Sequence, residues 1–177
     1  LRALCDAADI DAFVPVSALE TSDQRTPALI LQLVSTVDAV VDLGVSLQVL
    51  STTGLRPSSN ARRIGRYVRL AGEQGPGGWF GVHFKLWKLH GATPLWLKFS
   101  DTEFGRAREV RRLIEPWAAR SGRLAVNDNR ELAVGLGVAP GEDKAGVIRA
   151  LVGDLHEIAS LVRGLQSSEV SEPPLEM

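Results

Sequence analysis

Cysteine is all but missing from this sequence, with Cys5 its single thiol. A lone cysteine forms no internal disulfide and excludes a zinc site built from four thiolates. The plain expectation is a reducing, cytoplasmic setting. Asp6 and Asp9 lie beside Cys5 and disfavour its thiolate, which makes it a poor nucleophile. Histidine is scarce as well. His83, His90 and His156 are the only three, and none has a second ligand at metal-site spacing, so no metal and no zinc-hydrolase chemistry is expected. Long apolar runs are also absent. The stretch Ala28–Val34 is broken by Gln32 and followed by Ser35, Thr36 and Asp38, short of the roughly 20 uninterrupted apolar residues that span a bilayer. Leu1–Asp11 carries acids rather than a basic start before an apolar core, so no signal peptide is read and no membrane partner is expected. The chain opens at Leu1 rather than Met, which places an upstream domain, missing from this chain, among the expected partners.

The motifs of cofactor and nucleophile chemistry are incomplete. Gly72–Gly78 is glycine-rich but lacks the Lys-Ser/Thr that holds nucleotide phosphates, and it leads into a strand rather than a helix. Gly135-Leu136-Gly137 lacks the third glycine of a dinucleotide fingerprint, and no Gly-x-Ser-x-Gly elbow occurs. No cofactor is expected. Glu142-Asp143-Lys144 matches the acid-x-Lys element of metal-dependent nucleases in form, but it enters a helix, where acids serve as caps. Two catalytic candidates remain: His83 as a general base and Asp101 with Glu103 as a carboxylate pair. Their structural counterparts are a hydrogen-bonded histidine and a helix cap.

What is present describes an ordinary globular chain. With 177 residues, 45% hydrophobic and 23% charged, it is sized to bury a core without disulfides or metal. Thr26–Pro27 reads as a helix start, Thr as N-cap and Pro at the first helical position. Leu29, Leu33, Val37, Val40, Gly44 and Leu47 then form one apolar stripe, on a helix that breaks at Gly44 or runs on to Gly54. Leu1–Phe13 reads as a short helix before a turn at Pro15, and residues 55–60 as a loop. Ile64, Arg66, Val68 and Leu70 alternate with Gly65, Tyr67, Arg69 and Ala71. Trp79–Phe84 sets Phe80, Val82 and Phe84 opposite Trp79, Gly81 and His83. Two such strands around Gly72–Gly78 predict an antiparallel hairpin.

Phe84–His90 fits a short helical turn stopped by Gly91, and Leu95–Phe99 a third strand. Ser100 or Asp101 then caps a helix over 102–120, with Phe104, Ala107, Val110, Ile114 and Trp117 on its buried face and Pro116 expected to kink or split it. Leu124–Val126 and Glu131–Leu136 flank Asn127-Asp128-Asn129 as a second hairpin, and a last helix runs from Glu142–Asp143 to Gly164. The expected fold is α+β: an antiparallel sheet of about five strands with helices packed on one face. It forms a single domain over 1–164, with a helical part over 1–54 and the sheet and two helices over 62–164. A flexible acidic tail over 165–177 follows.

Charge is unevenly spread. Residues 55–125 hold 14 Lys+Arg against 5 Asp+Glu, a net of +9; residues 1–54 hold 2 against 7 and residues 126–177 hold 4 against 9, each a net of −5. Basic residues interleaved with aromatics suit a nucleic-acid groove, where cations neutralise phosphates and aromatic faces stack unpaired bases. The candidates are Arg62, Arg63, Arg66, Arg69, Lys85 and Lys88, with Trp79 and Trp87. The competing reading makes these the solvated sides of amphipathic elements, with Trp79, Trp87 and Trp96 filling core space.

The run Trp79-Phe80-Gly81-Val82-His83-Phe84, then Trp87, Gly91 and Thr93-Pro94-Leu95-Trp96-Leu97-Lys98-Phe99, resembles a block found in uncharacterised bacterial proteins, some of them similar to the C-terminal half of PD-(D/E)XK nuclease-like proteins. The resemblance spans residues 62–162 and rests on aromatic and turn positions. It implies a defence or DNA-processing setting with the nuclease core upstream. The strand-borne Asp followed by an acid-x-Lys strand is not found here, so no catalytic residue is carried over. The functional expectation is a non-catalytic accessory domain that binds DNA or RNA. The alternatives are a protein-interaction or homo-oligomerisation module, and an enzyme using His83 or Asp101/Glu103.

Overall fold

Every strand pairing in the computed structural model is antiparallel. The structure describes residues 25–60, 62–91, 93–128, 130–138 and 143–165. The expectations about Cys5, the helix over 1–13, the Pro15 turn, Glu142 and the tail from Gln166 lie outside them. The chain divides into two compact units, Leu1–Leu33 and Val34–Met177. Helix α1 (Arg25–Ser46) crosses that division, and the whole sheet belongs to the second unit. In chain order there follow β1 (Leu50–Ser51), β2 (Pro57–Asn60), β3 (Arg63–Leu70), β4 (Gly77–His83), α2 (Phe84–His90), β5 (Leu95–Ser100), α3 (Ala107–Ser121), β6 (Ala125–Asp128), β7 (Glu131–Leu136) and α4 (Lys144–Arg163). The strand order is β1-β3-β4-β5-β7-β6, with β2 also on β3. The fold is α+β, an open antiparallel sheet with four helices among the described residues.

Cross-strand partners share a face of a sheet, so the register separates two sets of side chains. Val82 lies opposite Ile64 and Leu95, Phe80 opposite Arg66 and Leu97, and Leu97 opposite Val134. Apart from half-buried Ile64, this apolar set, with Val68, Leu70, Phe99, Leu132 and Leu136, is buried. Helix α4 lies against β3, and α3 lies against β5, β6 and β7. Val110, Ile114, Leu151, Leu155 and Ile158 complete the core. Arg123 joins α4 through its ion pair to Asp154, 2.8 Å; burial raises the Asp154 carboxyl above its ordinary value, and Arg123 opposes that rise.

From Val34 onward, α1 buries Val37, Val40 and Val41, and Asp38 pairs with Arg66 of β3 at 2.8 Å. Within α1, Leu29–Ser46 has a mean hydropathy of 1.6, long and apolar enough to cross a membrane by length and composition. The buried valines and the Asp38–Arg66 pair give its second half the character of a core helix. It ends at Ser46, neither broken at Gly44 nor continued to Gly54. A side chain at Gly44 would meet Leu50, with Cδ1 2.8 Å from a built Cβ, so glycine there lets α1 and β1 approach.

Both expected hairpins form, and three local expectations are corrected. Residues 57–60 are strand β2 rather than loop: Asn60 accepts the Arg62 and Arg63 N–H groups at 2.9 and 3.1 Å, a side-chain-closed turn that folds the segment back on β3. Helix α3 begins at Ala107 rather than 102, because Arg106 sits at φ 48° and the Arg106 N–H bonds Thr102 O at 2.7 Å in a preceding turn. Neither Ser100 nor Asp101 caps it, and Phe104 leaves its buried face. Pro116 does not split α3, which is one helix over Ala107–Ser121. Pro removes only the bond to the residue 112 carbonyl, and Arg112 and Pro116 are both exposed, so water satisfies it.

Candidate nucleic-acid interface

The other face of the sheet follows from the same alternation. Arg63, Tyr67 and Arg69 of β3, Gly77, Trp79, Gly81 and His83 of β4, Trp96 and Lys98 of β5, and Glu131, Ala133 and Gly135 of β7 all project there. Two tryptophans on a sheet face without a long helix over it should be wet, yet Trp79 and Trp96 are 2% and 0% exposed. Glycine is the reason. A Cβ at Gly65 would lie 2.7 Å from Trp79 Cζ2, and one at Gly135 3.5 Å from Trp96 Cη2, so each indole lies over bare backbone on a neighbouring strand. Trp79 donates its indole N–H to Ser58 O at 3.3 Å, and the Arg63 guanidinium lies 5.0 Å above its ring. Trp96 donates to Thr93 O at 2.8 Å, and the His90 ring packs 5.8 Å away. This last contact brings the seven-residue α2 onto the face opposite the long helices.

Three adjoining depressions run along this face. The first, about 780 Å³, lies at the β3–β4 hairpin tip between Arg69, Pro76, Phe104 and Arg106. The second, about 120 Å³, holds Arg63, Tyr67, Trp79, Lys98 and Phe104. The third, about 530 Å³, is walled by α2 through Lys85, Leu86, Leu89 and His90, and floored by Arg63, His83, Lys98 and Ala133. Arg62, Asp128 and Glu131 also line it. Phe104 is common to the first two, and Arg63, Lys98 and Glu131 belong in part to both the second and third. Half-buried Tyr67 and Phe104 meet edge to face at 6.2 Å, with the Arg69 guanidinium 4.8 Å over Phe104. Arg63 donates to Tyr67 Oη at 3.1 Å, and Lys98 pairs with Glu131 at 2.8 Å.

The residues singled out in the sequence separate accordingly. Arg62, Arg63 and Lys85 meet in the third depression and Arg69 lines the first. Arg66 is a correction: it belongs to the helix-covered face and is held by Asp38, since its even position on β3 places it with Ile64 and Val68. Trp79 is a second, because its ring is covered by Gly65 and Arg63 and offers no stacking surface. Trp87 is half-buried and Lys88 exposed on α2, and neither lines any of the three depressions. Tyr67, Lys98 and Phe104 were not singled out. The alternation of β3 and β5 places the first two on this face, whereas Phe104 required the corrected start of α3.

Of the catalytic candidates, His83 and Asp101 each make a local contact. His83 Nδ1 accepts the Leu86 N–H at 3.2 Å as the N-cap of α2. Burial, then the nearby Lys98 and Arg63 charges, lower its pKa to about 4. The neutral ring therefore carries its proton on Nε2 and is a donor at neutral pH, not a base. Asp101 is committed to Arg108 at 2.8 Å, and Glu103 is exposed on the turn before α3. No cluster of three or more metal-ligating side chains occurs among the described residues. Compared with known proteins, the chain matches no family model, no curated protein and no solved structure.

Proposed function

We propose that this domain binds single-stranded nucleic acid along the open face of its sheet and catalyses nothing there. The observation that carries the reading is that Arg62, Arg63, Arg69 and Lys85 share three adjoining depressions with half-buried Tyr67 and Phe104, while the other face is taken up by α3 and α4. Cations track a phosphate backbone, and aromatic edges at the groove floor contact bases that are not paired. Among the described residues, the only helix on this face, α2, has seven residues, too little to enter the major groove of a duplex as a reading helix. Fluorescence anisotropy with labelled ten-nucleotide DNA and RNA strands, from 20 to 300 mM salt, tests it. Binding that weakens steeply with salt and favours single strands over the matching duplex is expected; no binding at the lowest salt refutes it.

A second reading has its own observation. Helix α2, Phe84–His90, contains no buried residue and leaves Leu89 64% exposed. An exposed leucine on a helix with no buried residue suits a protein-interaction or homo-oligomerisation surface. Sedimentation velocity decides it: a concentration-dependent dimer abolished by Leu89→Lys supports that reading, and a monomer at all concentrations removes the homo-oligomer.

A further inference from the structure

The open face has two unequal ends. At the hairpin tip the first depression is lined by Arg69, Arg106 and Arg108 and, balancing them, by Asp101, Glu103 and Glu109. At the opposite end α2 starts directly after the last residue of β4 and crosses to β5, where His90 packs on Trp96. A seven-residue strand is about 23 Å long, so a single strand laid along β3 and β4 runs a few nucleotides before it meets α2. We infer that the depression beneath α2 is an end-binding site, which takes the terminal nucleotide of a single strand through its phosphate monoester. The inference rests on the nucleic-acid reading above and adds to it where the strand stops and which group is held there.

The chemistry of the walls supports a terminal phosphate. A terminal phosphate monoester carries about 1.5 to 2 negative charges at neutral pH, against one for an internal diester. Arg62 and Lys85, both exposed, stand at the β2–β3 turn and on α2, and Arg63 reaches the same space from the floor. His83 adds a neutral donor, since its Nδ1 is already the acceptor for the Leu86 N–H. Leu86 and Leu89 offer an apolar wall for the terminal base. The carboxylates Asp128 and Glu131 line the side away from α2 and repel a phosphate there, which sets its place beside α2. The volume, about 530 Å³, is in the range of sites that take one small ligand.

The test uses the full chain and one ten-nucleotide sequence in three forms: 5′-phosphorylated, 3′-phosphorylated and unphosphorylated at both ends. One of the phosphorylated forms should bind about ten-fold more tightly than the unphosphorylated form near 0.1 M salt, the effect of engaging one or two further cations. The form that gains identifies the end. The double variant Arg62→Ala/Lys85→Ala should lose that preference and still bind the unphosphorylated strand; because both side chains are exposed, a native circular dichroism spectrum is expected. Equal affinity for all three forms overturns the end-binding site and leaves groove binding intact. Failure of all three to bind overturns both.

Discussion

Arg63 and Arg66 sit three residues apart on β3 and are chemically identical, yet the sheet assigns them opposite fates. Arg63 lines two of the depressions on the open face, whereas Arg66 faces α1 and is held by Asp38. Replacing each with alanine therefore tests the face assignment directly. For single strands the logarithm of the binding constant falls with the logarithm of salt at about 0.7 per phosphate neutralised. Arg63→Ala should lower that slope by about 0.7, which at 0.1 M salt amounts to a loss of about five-fold, or about 1 kcal/mol. It also uncovers Trp79, giving up a cation–π contact worth about 0.5–1 kcal/mol of stability. Arg66→Ala should leave the slope unchanged. The pair it breaks is 33% and 48% exposed, so its stability cost is about 0.5 kcal/mol. Anisotropy titrations at four salt concentrations measure the slopes, and urea unfolding measures the stability terms. Equal slope changes in the two variants, or none in Arg63→Ala, would refute the assignment.

The cap at His83 makes stability depend on pH. Its folded pKa of about 4 lies below its ordinary 6.5, so between these values the unfolded chain binds more protons and stability falls as pH falls through that window. His83→Asn keeps a capping oxygen and removes the titration, so in urea unfolding from pH 7 to 4 the native protein should lose stability relative to the variant steadily toward acid; parallel profiles would count against the buried neutral histidine. Comparing the two proteins cancels the contribution of Asp154, whose raised pKa acts with the opposite sign. Gly81→Ala should destabilise by about 2–3 kcal/mol in urea, since its new methyl group would lie 2.5 Å from Gly65 Cα, where backbone cannot give way; a shift under about 0.5 kcal/mol would mean the strands separate more easily than their packing indicates.

Most of the sheet was legible because its strands obey a period of two. Ile64, Val68, Phe80, Val82, Leu95, Leu97 and Phe99 alternate, and all but the half-buried Ile64 pack beneath the helices. The same alternation separates Arg66 from Arg63 and Arg69 and places Lys98 with Trp96, so half of the candidate site follows from counting by twos. What resisted reading depends on contacts distant in sequence. Residues 57–60 look like a loop because Pro, Ser and Asn are poor strand formers; they become strand only because β3 offers an unpaired edge and Asn60 closes the turn. Phe104 lies at helical spacing before Ala107, yet its ring settles over Gly77, and Gly77 donates its N–H to Phe104 O at 2.6 Å. No local pattern encodes a glycine reserved for a ring 27 positions away, 104 minus 77.

The tryptophans illustrate how composition misplaces function. A basic segment rich in indoles invites stacking of bases on Trp79, but that ring lies over Gly65 with Arg63 on its outer side, so any stacking on this face falls to Tyr67 and Phe104. Arg63 gains from the arrangement. Its planar guanidinium has five N–H donors, and the Tyr67 hydroxyl engages one of its terminal nitrogens, which leaves further donors for a phosphate. A side chain already held by Trp79 and Tyr67 has less rotamer freedom to lose when an anion binds than a lysine at the same position. Arg63→Lys keeps the charge and gives up the fork and the flat contact with the ring. It should therefore retain the salt slope and still bind more weakly. If Lys restored full affinity, Arg63 would contribute charge alone, and the indole beneath it would belong to the fold and not to binding.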